Sequence, residues 1–239
     1  MKSSRHQTLN ITVGGVTLPA LLERPDPALG LVLFVHGSGS SRFSPRNQQV
    51  ARQLNEQALS TLLFDLLSEA EHEQDKLDGR FRFDIDLLSA RLLAVLDWLR
   101  REPKLAALPV GLFGASTGAA AALIAAAERP RQVRAVVSRG GRVDLAGDAL
   151  GRVRAPVLII IGTLDREVYR LSRTASRQIT TDYELRLIAG AAHLFEEPGK
   201  LEEVAQAAAA WFLRHLPEPE AEARPRPAVT GTGPRDTPQ

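Results

Sequence analysis

Apolar and polar positions along the chain follow two periods that take turns. Leu9, Ile11 and Val13 alternate with polar neighbours, Gly14-Gly15 interrupts, and Val16-Thr17-Leu18 resumes the pattern. Period-two alternation about a glycine pair predicts a β-hairpin. The next run, Leu31-Val32-Leu33-Phe34-Val35, is apolar at every position. A strand buried on both faces belongs in the middle of a sheet, and such strands are mostly parallel. Further strands are predicted at Thr61 to Phe64, Val110 to Phe113, Val133 to Val137, Val157 to Ile161 and Tyr183 to Ile188. Helical periodicity occupies the stretches between them, at about 44–58, 84–101, 117–128, 166–179 and 200–215. In 84–101 the face is Ile85, Leu88, Leu92, Val95 and Leu99. Strand and helix in repeated succession predict an α/β domain, with about eight mostly parallel strands and helices on both faces.

Two stretches break this rhythm. Residues 65–78 hold six acidic side chains and one Lys, and are expected to form a solvated loop. Residues 217–239 hold 6 of the 15 prolines and almost no apolar side chains, so a disordered tail is expected there. The folded domain is therefore expected over 1–216.

Composition removes several classes of function. The 239 residues include no cysteine, which excludes disulfides, thiolate metal sites and a cysteine nucleophile. Lys plus Arg exceeds Asp plus Glu by 30 to 28, a net charge of +2 that leaves no nucleic-acid footprint. No apolar run has the length of a membrane span, and no apolar segment follows Met1 to Gln7 as a signal peptide requires. A cytoplasmic protein without membrane or nucleic-acid partners is expected. The pattern does not fix its oligomeric state.

Parallel sheets place their chemistry on the loops after the strands. After the strand at 110–113 comes Gly114-Ala115-Ser116-Thr117-Gly118, a G-x-S-x-G between strand and helix. That turn strains the serine backbone and holds its Oγ clear of the sheet, while glycines two residues to either side relieve the crowding. Ser116 is the candidate nucleophile. The glycine spacing fits neither a dinucleotide fingerprint nor a P-loop. Asp165 follows the strand at 157–161, and is read equally as the triad acid or as the cap of the next helix. Asp144 is the reserve acid. His193, on the loop after the strand at 183–188, is the candidate base; His6, His72 and His215 are placed worse. His36-Gly37-Ser38-Gly39 follows the first buried strand, with His36 as a brace. The backbone N–H groups of Ser38 and Thr117 are the expected oxyanion donors, each worth roughly 10²–10³ in rate. Arg139 ends a strand beside the nucleophile strand, and Arg42 and Arg46 follow the oxyanion loop. Arg139 and Arg42 are candidate contacts to an anionic substrate, although arginine is common throughout the chain.

On these pieces the chain resembles the α/β-hydrolase fold over residues 7–216. Within it the chain is similar to the small, lidless, dienelactone-hydrolase-like group. Some members of that group sit beside phosphoribosyltransferase domains, and no such domain is expected in this sequence. The stretch Ser138 to Ala155 is too short for the cap of lipases, so no cap domain is expected. Dienelactone hydrolases proper use cysteine where this chain has Ser116, so their substrate does not carry over. The resemblance implies a serine hydrolase of esters, thioesters or lactones of small soluble molecules, working through an acyl-enzyme without metal or organic cofactor. Acyl transfer or peptide cleavage by the same triad, and a non-catalytic binding module on the same fold, are the alternatives.

Overall fold

The computed structural model describes residues 4–216, so the proline-rich stretch 217–239 lies outside the described residues. Its eight strands are β1 (Ser4–Val13), β2 (Val16–Pro25), β3 (Gly30–Val35), β4 (Leu59–Phe64), β5 (Val110–Ala115), β6 (Val133–Arg139), β7 (Val157–Gly162) and β8 (Tyr183–Ile188). They form one sheet in the order β1-β2-β4-β3-β5-β6-β7-β8. β1 and β2 are the predicted hairpin, with Val13 opposite Val16 across the glycine pair. β2 runs antiparallel to β4, and every pairing from β4 to β8 is parallel. The reason is visible in the side chains: β3, β4, β5 and β7 are buried at every position, as strands covered on both faces must be.

Of the six helices among the described residues, five cover the sheet. α1 (Pro45–Glu56) and α6 (Lys200–His215) lie on one face, over a core that includes Phe34, Phe113, Val137 and Ile160. The Phe34 and Phe113 rings meet there, with centroids 4.8 Å apart. α3 (Ile85–Leu99), α4 (Thr117–Glu128) and α5 (Arg166–Ala175) lie on the other face with Leu33, Leu112, Val136 and Ile159. Burial of each such aromatic or aliphatic side chain contributes about 1.5–3 kcal/mol. Ala119 to Ala122 are fully buried, and their small side chains seat α4 close against the strands.

The sixth helix stands where a solvated loop was expected. α2 (Glu69–Asp78) occupies most of the acidic stretch read as a loop. Ser68 and Glu71 form a reciprocal capping box, with Glu71 N–H donating to Ser68 Oγ and Ser68 N–H donating to Glu71 Oε2. Asp75 is buried and accepts from the N–H groups of Phe81 and Arg82 and from Arg82 Nε, at 2.7–2.9 Å. Caps and ion pairs hold this helix instead of an apolar stripe, which is why periodicity did not reveal it. Between β6 and β7 there is only a 3₁₀ segment, Val143–Arg152, kinked at Gly147, and no cap domain. Among the described residues no helix is long and apolar enough to cross a membrane.

Candidate active site

β3, β5, β6, β7 and β8 run parallel and end on the same edge of the sheet, and Ser38, Ser116, Asp165 and His193 lie on the segments that follow four of those ends. Ser116 is the turn between β5 and α4. Its φ of 50° and ψ of −124° put a non-glycine residue where a Cβ is crowded. The surroundings hold it there. Ser116 N–H donates to Arg139 O, and Ser116 O accepts from the N–H groups of Ala119 and Arg142 at 3.0–3.1 Å. The flanking glycines are required by contact. A Cβ at Gly118 would stand 2.1 Å from Val35 O, and one at Gly114 2.5 Å from the Cα of Ala119. The Ser116 hydroxyl does not cap the helix that it starts.

His193 and Asp165 are brought together. His193 Nδ1 lies 2.5 Å from Asp165 Oδ2, and the two side chains are 38% and 12% exposed. An ionised carboxylate only accepts, so Nδ1 carries the proton and Nε2 is left as the basic nitrogen. Asp165 Oδ1 also accepts from Val168 N–H, so the carboxylate caps α5 as well. Asp144, the reserve acid, is occupied elsewhere by a forked pair with Arg142. The histidine loop is braced by Glu197, whose Oε1 accepts from Ala192 N–H; the sequence offered no signal for that bond.

The loop after β3 reaches α4. A Cβ at Gly37 would meet the Ser116 Cβ at 2.9 Å, so the glycine lets the loop pass beside the candidate nucleophile. Ser38 and Thr117 meet, although not as two free donors. Ser38 N–H donates to Thr117 Oγ1 at 2.9 Å. His36 accepts from Leu66 N–H at Nε2, which places its proton on Nδ1, where it donates to Gly37 O. Burial pushes its pKa below the ordinary value of 6.5, so it stays neutral. His36 thus ties the loop after β3 to the segment that follows β4. A cavity of about 300 Å³ lies beside this loop, lined in part by His36, Ser38, Arg42, His72 and Arg82.

The arginines separate. The backbone N–H and guanidinium of Arg42 are bound by Asp65, and its guanidinium covers the Phe43 ring. Arg139 is 7% exposed, and its Nε and Nη1 have no partner among the described residues. Burial, with the Arg46 charge beside it, pushes its pKa down to about 10. Arg46 donates to Glu196 at 2.6 Å through Nη1, while its own Nε is buried and unpartnered.

The chain resembles known proteins along nearly all of its described length. The family model of the dienelactone hydrolase family matches residues 25–216. A solved structure, a dienelactone hydrolase from Anabaena variabilis, is 51% identical, with a TM-score of 0.87, over 89% of this chain and 99% of its own. Est1E from Butyrivibrio proteoclasticus shares the fold at 19% identity, with a TM-score of 0.72, over 87% of this chain and 98% of its own. Two curated Mycobacterium tuberculosis proteins, provisionally named phosphoribosyl transferases, are 50% identical over 212 residues, 89% of this chain and 47% of theirs. This chain thus spans about half the length of those relatives. With the fold, the strained serine turn and the family match in agreement, the chain belongs to the dienelactone hydrolase family.

Proposed function

We propose that the protein is a serine hydrolase of carboxylic esters, thioesters or lactones of small molecules, with Ser116, His193 and Asp165 as its triad. The observation that carries this reading is the Asp165–His193 hydrogen bond, which leaves Nε2 as a base on the edge where the strained Ser116 stands. Ser116 Oγ attacks the acyl carbon as its proton passes to His193 Nε2. Asp165 steadies the imidazolium that forms. The oxyanion is met by the Thr117 N–H at the positive end of α4. The Ser38 N–H joins it when the carbonyl oxygen displaces the Thr117 hydroxyl. His193 then gives its proton to the leaving alkoxide, thiolate or ring oxygen, and the acyl-enzyme remains. Water, deprotonated by the same Nε2, attacks that ester and releases the acid and the serine. No step calls for a metal or an organic cofactor.

The transferase name of the Mycobacterium relatives is carried by proteins about twice as long. The 212 matched residues necessarily overlap the stretch that the hydrolase-family model covers. The test is turnover of 4-nitrophenyl acetate, an acetyl thioester and a small lactone by the wild type and by Ser116→Ala. The expected loss on substitution is about 10⁴-fold or more in kcat. Equal rates for the two proteins would overturn the assignment.

A further inference from the structure

β8 is an edge strand. β7 pairs with one side of it, and no strand pairs with the other side among the described residues. The carbonyls of Asp182 and Ile188 accept from the N–H groups of Val157 and Thr163, so the even-numbered residues of β8 turn their backbone groups towards β7. By alternation Tyr183, Leu185 and Leu187 turn theirs outwards. A row of outward N–H and C=O groups is a template for a further strand. The side chains also sort by face. Leu185 packs against the core under α3, α4 and α5. Tyr183 and Leu187 share its face, and they are 42% and 44% exposed. Glu184 and Arg186 share the face of Ile188, on the α6 side, where they pair with each other at 2.6 Å.

This strand complements its own copy. A two-fold axis through the outer edge pairs two β8 strands antiparallel, with outward residues opposite outward residues. Centred on Leu185, the pairing sets Leu185 against Leu185 and Tyr183 against Leu187 of the second copy. Those are the hydrogen-bonded pairs, and their side chains form one apolar strip on the α5 side. Glu184 then stands opposite Arg186 of the second copy, twice, in the non-hydrogen-bonded positions where side chains come closest. Opposite charges placed so attract, and like charges repel. Centring on Glu184 sets two carboxylates opposite each other, and centring on Arg186 sets two guanidiniums opposite each other. Charge therefore selects the Leu185 register. The other edge strand, β1, carries Arg5 and His6 and no acid, so no pairing of β1 with itself brings opposite charges together.

We propose that the protein forms a two-fold dimer through β8, with Leu185 on the axis, Glu184 paired with Arg186 of the second copy, and the two sheets joined into one. The pair that Glu184 and Arg186 make within one strand is exchanged for two pairs between strands. The dimer stands independently of the hydrolase reading.

Sedimentation velocity of the full chain over a wide range of concentration tests it. The wild type should show a reversible monomer–dimer equilibrium. Glu184→Arg and Arg186→Glu each set like charges opposite one another, and each should raise the dissociation constant at least tenfold. An equal mixture of these two variants should restore the dimer, because each supplies the charge that the other lacks. The double variant with both substitutions should dimerise by itself. Mixing cannot rebuild a pair within one strand, so restoration reports contact between copies. The register is tested by cross-linking. The chain has no cysteine, so a single introduced thiol can bridge only to a second chain. Under mild oxidation with diamide, Leu185→Cys should form a disulfide-linked dimer, since Cα atoms opposed across a hydrogen-bonded pair lie within disulfide reach. Tyr183→Cys, which faces Leu187 instead of its own copy, should not. A monomer mass for the wild type at every concentration would overturn the proposal. A dimer that persists unchanged in both single variants would place the contact on another face and overturn it as well. So would a mixture that fails to restore a dimer lost in the single variants, or cross-linking of Tyr183→Cys in place of Leu185→Cys.

Discussion

Asp165 divides its carboxylate between His193 and the helix that follows: Oδ2 lies 2.5 Å from His193 Nδ1, and Oδ1 accepts from Val168 N–H at 3.4 Å. The cap and the proposed triad acid, which the sequence offers as rival readings, are compatible, because one carboxylate makes both contacts. The cap bond at the start of α5 holds the carboxylate beside the imidazole.

The two duties separate by substitution. Asparagine still caps a helix but cannot hold the imidazole in the required tautomer. Asp165→Asn should therefore keep its melting temperature within a degree or two and lose about 10⁴-fold in kcat. Asp165→Ala should lose kcat similarly, and also about 1 kcal/mol of stability as the cap goes. Thermal melts beside ester kinetics check both. A fully active Asp165→Asn would remove Asp165 from the triad.

Ser116 is held at positive φ by its neighbours, a strain of about 1–3 kcal/mol for a residue with a Cβ. Glycine takes this conformation freely but loses more chain entropy on folding. Ser116→Gly should raise stability by about 1 kcal/mol in urea unfolding and abolish turnover. A destabilised Ser116→Gly would show that the turn is unstrained.

Thr117 offers its hydroxyl to Ser38 N–H at rest, but only its backbone N–H is assigned to the oxyanion. Removing the hydroxyl frees the Ser38 donor and leaves both backbone groups in place. Thr117→Val should keep kcat/KM within about threefold, whereas loss of a true oxyanion donor costs roughly 10²–10³. A loss of that size in Thr117→Val would make the hydroxyl itself the donor.

His36 gives the fold a pH dependence of known sign. Its folded pKa lies below the unfolded value because burial disfavours the charged ring. At acid pH the unfolded chain therefore binds the extra proton. This contribution is intact above about pH 6.5 and is lost as pH falls through the unfolded pKa toward the folded one. Melting temperature should drop between pH 7 and 5 in the wild type and drop less in His36→Gln. Parallel profiles would assign the acid sensitivity to other groups.

The fold was largely legible because its signals are collective. Continuous apolar runs such as Leu31 to Val35 become central parallel strands, and Gly114 to Gly118 sits where strand meets helix. The positions of Ser116, Asp165 and His193 followed from strand ends alone. What stayed hidden depends on single contacts. α2 has no apolar stripe and stands on Ser68, Glu71 and Asp75. That Asp65 would hold Arg42 while Arg139 stayed unpaired is a matter of which carboxylate lies nearby, and spacing does not encode it. The Ser38–Thr117 bond likewise joins a loop to a helix start 79 residues away.

The most direct measurement is reaction with a fluorophosphonate probe, followed by peptide mass spectrometry, on the wild type and on Ser116→Ala. Such probes phosphonylate a serine that a base and an oxyanion hole have activated, with loss of fluoride. Stoichiometric modification of Ser116, slowed while a turned-over ester is present in excess and absent from Ser116→Ala, is the expected result. A folded wild-type protein that leaves Ser116 unlabelled, or labels another serine, would contradict the assignment of Ser116 as an activated nucleophile.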